Sequence, residues 1–293
     1  MAKQKRPLTP QKSVADPESP SSPARSWFYR KTRITPSFLI LGAMRCGTTS
    51  LYRYLCEHPR IVSATRKEVH FFDHNYLSGW EWYVRHFVSR FEKLPDKAHP
   101  LRRLTGEASP SYMLNPLAAQ RASRHLPNAK IIAILRNPVD RAASHYQHGL
   151  RRKYEPLSFA EALDREQERI QGEREKLLRE EVQRSDALQN FSYCTRGHYM
   201  EQIGEWLKYY PRHHLHIVLS EEFYADPARE LERVSDFLGL ETVKPRMPEE
   251  FEKFNFCEYD ALGGALRERL IEHFRPHNAK LAGLIGRDPG WDC

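Results

Sequence analysis

The chain has 293 residues, 40% hydrophobic and 11% aromatic, enough to bury a full core and too apolar for a wholly disordered protein. Its net charge of +8 is concentrated at the start: residues 1–35 balance at +6, which leaves +2 for the other 258 residues. A large basic face on the folded body is not implied, and no nucleic-acid partner is expected.

The first 26 residues are rich in Pro, Ser, Lys and Gln, and residues 1–35 read as a disordered basic tail. The tail is either simply solvated or a contact for a membrane surface or polyanion. No apolar stretch follows the basic start, so no signal peptide is expected, and no apolar run approaches the roughly 20 residues that span a bilayer. Five cysteines without a C-x-x-C pair point to free thiols and a cytoplasmic setting.

The strand-like run Phe38–Leu41 leads into Gly42, and after four residues Gly47-Thr48-Thr49 opens an amphipathic helix over Thr48–Glu57. This is the spacing of a phosphate-binding loop, in which backbone N–H groups and a helix N-terminus cradle an anion. A nucleotide triphosphatase needs Lys where Thr48 stands, and the cation comes earlier, as Arg45. The loop is thus suited to an anion other than the γ-phosphate of ATP. Its candidate ligands are Arg45, Cys46, Gly47, Thr48, Thr49 and Ser50.

Further on, Lys67–Asp73 reads as extended or loop, so Glu68 and His70 point the same way. His70 either orients an acceptor or is a core-edge histidine. His70 and His74 have H-x-x-x-H spacing, but no Glu follows His70 and the segment is not helical, so no metal site is expected. A second strand, Ile131–Leu135, delivers Arg136 to its C-terminal end. Pro138 then starts a helix that carries Ser144 two turns in. Arg136 with Ser144 suits a phosphate, although an Arg in this place can equally pair with a carboxylate at the sheet edge.

Ser158–Gln189 is dominated by Glu, Arg, Gln and Lys, with Glu161/Arg165 and Glu175/Arg179 spaced i, i+4. It reads as one or two mostly exposed helices broken near Gly172, either a solvated face or a substrate lid. Helices are also expected over Leu117–Leu126, Tyr199–Tyr210 and Asp226–Leu240, the last with an Asp cap, a first-turn Pro and an end near Gly239. A third strand falls at Leu215–Leu219, and Gly263–Ile285 is helical with a break at Pro276. His213, His214 and His216 read as surface and packing residues. Short buried strands alternating with helices predict an α/β fold around a central parallel sheet.

The two anion loops together resemble those of sulfotransferases that use 3′-phosphoadenosine 5′-phosphosulfate (PAPS). Lys67-Glu-Val-His-Phe-Phe-Asp73 is similar to the K/N-E-x-H-F-F-D motif of the heparan sulfate glucosaminyl O- and N-sulfotransferases. Gly106-Glu-Ala-Ser-Pro-Ser-Tyr112 resembles their E-K-[TS]-P-x-Y segment, and Arg196–Tyr199, Trp206–Pro211 and His216–Ser220 resemble their later helix and strand. The resemblance covers about residues 37–293 and implies a P-loop NTPase-like fold, with 36–293 as the sulfotransferase domain.

By this resemblance the first loop holds the 5′-phosphosulfate and Arg136 and Ser144 hold the 3′-phosphate. Glu68 is the general base on the acceptor hydroxyl, with Arg45 and His70 assisting. The acceptor is a small molecule or glycan: a carbohydrate or glycolipid, sulfated on a hydroxyl or, failing that, an amine. Three departures stand out. Arg45 replaces the family's usual loop Lys, Ala108 replaces the Lys of E-K-[TS]-P, and the cysteine-bounded cofactor loop near the C-terminus has no clear counterpart in Phe251–Gly264. The rival readings are a degenerate P-loop kinase, which Thr48 opposes, and a polyanion binder acting through the basic tail.

Overall fold

The computed structural model describes residues 33–89, 103–240 and 263–292; the basic tail up to residue 32 and the stretch 251–262 lie outside these. Five parallel strands, β1 (Phe38–Gly42), β2 (Ile61–Ser63), β3 (Leu104–Ala108), β4 (Lys130–Leu135) and β5 (Leu215–Leu219), form one sheet in the order β2-β3-β1-β4-β5. Helices flank it, giving the P-loop NTPase-like architecture. β1 is central, and Leu39 pairs with Glu107 on one side and Ile131 on the other.

Three strands fall where their apolar runs place them, and every residue of β1 is buried. The other two carry no such run. β2 is only three residues long, and β3 (Leu-Thr-Gly-Glu-Ala) is polar in composition yet buried throughout. The β3 polar groups are tied down: Thr105 Oγ1 donates to Val62 O at 2.7 Å. Tyr52, on α1 (Thr48–Cys56), accepts from the Ala64 N–H at 2.8 Å and donates to Gly106 O at 3.1 Å. Gly106 is where β1 and β3 come too close for a side chain, since a Cβ there would lie 2.5 Å from Phe38 O.

After α2 (Gly79–Val84) and α3 (Ala118–His125), β4 runs into α4 (Pro138–Arg152), capped by Asn137, whose side chain accepts from the Val139 N–H. The charged stretch that follows forms four short helices rather than one or two: α5 (Phe159–Asp164), α6 (Glu166–Ile170), α7 (Glu173–Leu178) and α8 (Asp186–Phe191). Gly172, at φ 74°, makes the break between α6 and α7. The stretch is less exposed than its composition suggests, because Ile170, Leu177 and Leu188 bury against one another. The i, i+4 pairs do not form as ion pairs. Glu161 is taken by the Ser158 cap, Arg165 pairs with Glu168 at 3.2 Å, and Arg179 reaches Glu181 at 3.6 Å.

α9 (Tyr199–Leu207) precedes β5, and α10 (Ser220–Ala225) follows it. α11 (Pro227–Leu238) has the expected Asp226 cap, first-turn Pro227 and left-handed Gly239. α12 (Gly264–Ile285) is continuous through Pro276, contrary to the expected break. An interior Pro costs a helix about 3 kcal/mol. Burial of Leu270, Phe274 and Leu281 along one face offsets that loss.

Gly106→Ala should lower stability by about 1–3 kcal/mol through overpacking, read as a reduced urea midpoint with an unchanged m-value.

Candidate active site

β1 and β4 are neighbours whose connections leave toward opposite edges of the sheet, which opens a crevice beyond their C-terminal ends. The loops after these strands line a cavity of about 730 Å³. The first supplies Arg45, Cys46, Gly47, Thr48 and Thr49; the second supplies Arg136, and α4 adds Ser144, His148, Arg151 and Arg152. Glu68 and His70 stand on another wall with Pro110 and Ser111.

Arg45 is itself in the left-handed region at φ 70°, and Gly47 follows at φ 99°. A Cβ on Gly47 would come within 2.8 Å of Tyr224 Oη, so the tyrosine packs directly on the loop. Arg45 Nε donates to Ser144 Oγ at 3.1 Å. The two anion loops are therefore not separate sites: one guanidinium bridges them.

Two of the expected loop residues differ in role. Cys46 is buried, its Sγ 3.8 Å from Tyr199 Oη, and burial pushes the thiol up to about 11 despite the nearby Arg141 charge. Its side chain is inert packing, and its carbonyl accepts from Ser220 Oγ at 2.9 Å. Ser50 does not line the cavity; its hydroxyl turns to Tyr224 Oη at 3.2 Å. Sequence reasoning listed both because it follows spacing, which locates a backbone but not the face a side chain takes.

The Glu68–His70 wall is a chain of charges. Lys67 Nζ lies 2.5 Å from Glu68 Oε1, and His70 Nε2 is 3.3 Å from Glu68 Oε2. The other face of the ring, Nδ1, is 3.0 Å from the fully buried Asp73 Oδ2, which also accepts from Ser111 Oγ at 2.5 Å. Burial alone would neutralise these groups, but their contacts outweigh it. His70 and Lys67 take Glu68 down to about 2, and Asp73 and Glu68 take His70 up to about 9. His74 stacks on His70, with centroids 4.7 Å apart, and burial takes it down to about 4. One ring of the stack is thus charged at neutral pH and the other is not.

His70, Asp73 and His74 do converge, with ligand atoms within 4.8 Å of one another, because a turn over residues 71–74 brings the two rings together without a helix. Asp73 Oδ1 accepts from the His74 N–H at 2.7 Å, so both carboxylate oxygens already hold hydrogen bonds.

What holds this wall in place is Glu107, which sequence reasoning passed over. Fully buried at the centre of β3, it accepts from the Val69 N–H at 3.0 Å, Ser109 Oγ at 2.7 Å and Tyr112 Oη at 2.8 Å. Ser109 Oγ in turn accepts from the His70 N–H, and Tyr112 Oη from the N–H groups of Phe71 and Phe72. The residues Gly106–Tyr112 thus clamp Lys67–Asp73 through the backbone. The signal available in advance was an acidic residue at the heart of a segment that alternates with nothing apolar. Gln189 on α8 also reaches the cavity, 3.8 Å from Met44 Sδ, so the inserted helices form one of its sides.

A family model described as a sulfotransferase domain matches residues 35–262. The chain belongs to the sulfotransferase domain family. This sulfotransferase is 31% identical to human heparan sulfate glucosamine 3-O-sulfotransferase 6, over 96% of its own length and 80% of that protein. It is 29% identical to the membrane-associated sulfotransferase kil1 of Dictyostelium discoideum, over 87% of its length but only 66% of the relative's. A solved sulfotransferase from Alicyclobacillus acidocaldarius superposes with a TM-score of 0.66 at 33% identity, covering 87% of this chain and 97% of that one. Among the described residues, no helix is long and apolar enough to cross a membrane.

Glu107→Ala would leave a buried N–H and two hydroxyls without their acceptor, at about 1–3 kcal/mol for each group left unsatisfied, measured by chemical denaturation. Because the folded-state pKa of His70 is raised, its charge stabilises the fold fully below about pH 6.5 and ceases to do so as pH rises through about 9. Its ring should titrate near 9 by NMR, and Asp73→Asn should move that midpoint downward.

Proposed function

We propose that this sulfotransferase moves a sulfuryl group from PAPS to a carbohydrate or glycolipid hydroxyl, in preference to an amine, and releases 3′,5′-ADP, with residues 36–293 as the catalytic domain. The observation that carries this reading is the single cavity onto which Arg45, Arg136, Ser144 and Glu68 all open, with Arg45 bonded to Ser144. The cavity fits a donor with anionic groups at two ends: cations from both loops face it, and the α1 N-terminus adds its dipole. Bound there, PAPS supplies an activated sulfuryl group with a phosphate as leaving group.

Arg136 and Ser144 then hold the 3′-phosphate, the guanidinium as a bidentate donor. Arg45 and the N–H groups of Gly47, Thr48 and Thr49 face the 5′-phosphosulfate and stabilise the charge that grows on the departing phosphate. Cys46 contributes backbone only, and Ser50 acts through Tyr224.

Glu68 takes the acceptor proton. Its partners Lys67 and His70 keep it ionised across the physiological range, which makes it a standing acceptor but a weak base. An incoming hydroxyl that displaces either partner raises that basicity where it is needed. His70, fixed by Asp73 and Ser111, keeps the Glu68 carboxylate turned toward the cavity.

The names of the relatives point to heparan-type chains as the first acceptors to try, and Arg151 and Arg152 at the cavity edge suit a polyanionic sugar. The free thiols of Cys46, Cys56 and Cys194 support a reducing, cytoplasmic setting.

Glu68→Gln should lower kcat by about 10²–10⁴-fold while 3′,5′-ADP binding stays within about twofold, measured by mass-spectrometric transfer assay and calorimetry. Ser144→Ala should weaken 3′,5′-ADP binding by about 3–10-fold. A wild-type chain that binds neither PAPS nor 3′,5′-ADP would overturn the reading.

A further inference from the structure

Away from the cavity, three histidines meet where α9 and α12 pack together. His198 is the residue just before α9, and His273 and His277 lie one turn apart on α12. Nothing in the sequence links them, since 75 positions separate the first pair. The packing brings α12 in closely: Gly197 has room for no side chain, because a Cβ would fall 2.5 Å from the Phe274 ring. His198 is further held by Gln202, whose side-chain amide donates to its carbonyl at 3.1 Å.

The nitrogens converge. His198 Nε2 is 3.0 Å from His273 Nε2, and the rings of His198 and His277 stack with centroids 3.8 Å apart. One nitrogen from each of the three rings lies within 4.8 Å of the others. Two ring nitrogens 3.0 Å apart can share only one proton, so at least one lone pair points into the cluster. Glu201 lies on the opposite side. Its Oε1 is 3.2 Å from His277 Nδ1 and its Oε2 3.8 Å from His198 Nδ1. The carboxylate is within reach of the His277 Nδ1 proton and leaves that ring's Nε2 as its ligand atom, the arrangement that orients imidazole ligands on metals.

We infer that His198, His273 and His277 form a transition-metal site of the zinc class, with Glu201 orienting the His277 ring and a water completing the shell. Two imidazole nitrogens on one tetrahedral zinc lie about 3.3 Å apart, close to the 3.0 Å spacing of His198 and His273. The third nitrogen closes on the ion when the stacked rings splay. His273 is exposed, which leaves a path from solvent. Imidazole donors without a shell of oxygens exclude Mg²⁺ and Ca²⁺ as the resident ion.

The ion would join α12 to α9 and so fix the C-terminal segment. That segment reaches the second anion loop, where the Trp291 carbonyl accepts from Asn137 Nδ2 and Arg267 pairs with Asp140. The site is structural and stands apart from sulfuryl transfer, so it is tested without any activity measurement.

The metal-free full chain, carrying no affinity-tag histidines, is titrated with Co²⁺ and followed by its visible d–d absorption, then with competing Zn²⁺. The expected result is one equivalent per chain, displaced by Zn²⁺, with the melting temperature raised by about 2–3 °C at tenfold excess over Kd. His273→Ala and His277→Ala should each abolish the absorption while keeping the far-UV circular dichroism of the wild type. Glu201→Gln should weaken binding by about 10–100-fold. His213→Ala, outside the cluster, should change nothing. Absent absorption in the folded wild type would overturn the inference, as would binding that survives His273→Ala and His277→Ala but is lost in His74→Ala.

Discussion

The cavity wall that carries Glu68 and His70 depends on one buried carboxylate. Glu107 sits in the middle of a parallel sheet, where an acidic side chain would ordinarily be expelled, and burial raises its pKa. It is retained because three donors converge on it, and each donor belongs to a segment that needs anchoring. Without it, Lys67–Asp73 would have neither helix nor strand to hold its backbone, and Glu68 and His70 would face the cavity from a loose loop. A hydrogen-bond hub here replaces the regular ladder that fixes residues elsewhere in the fold.

Electrostatics then divide the labour between neighbouring groups of similar intrinsic pKa. His70 and His74 share a stack, yet one is driven up by two carboxylates and the other down by burial. On the far side of the cavity, Arg45 reaches Ser144, so the loop after β1 and the helix after β4 are linked through hydrogen bonding. The guanidinium is thus held in place by the α4 hydroxyl rather than extended into solvent.

The strand-to-helix turns after β1 and β4, the three apolar strands and the capped α11 were legible because each depends on local pattern: spacing, a run of apolar residues, an Asp-Pro start with a Gly stop. β3 was not, since its burial comes from Tyr52, Thr105 and Gly106 contacts that no local pattern encodes. The continuity of α12 through Pro276 is the same lesson reversed: a strong local signal lost to packing of Phe274 and Leu281. Site residues followed the same division. Arg45, Cys46, Arg136, Ser144, Glu68 and His70 lie at the cavity, whereas Ser50 turned away from it and Glu107, Ser111 and Tyr224 emerged only in three dimensions.

The strand order has a consequence for how the chain is made. Among the described residues β1 is the first strand in chain order, but its two partners are Gly106 and its neighbours on one side and Lys130 and its neighbours on the other. Until β3, centred on Gly106, has left the ribosome, Phe-Leu-Ile-Leu has no edge to pair with, and its second edge waits for β4 at Lys130; sheets closed by such distant pairings form slowly. During that interval the segment is an unpaired apolar stretch of the nascent chain, of the kind a chaperone holds.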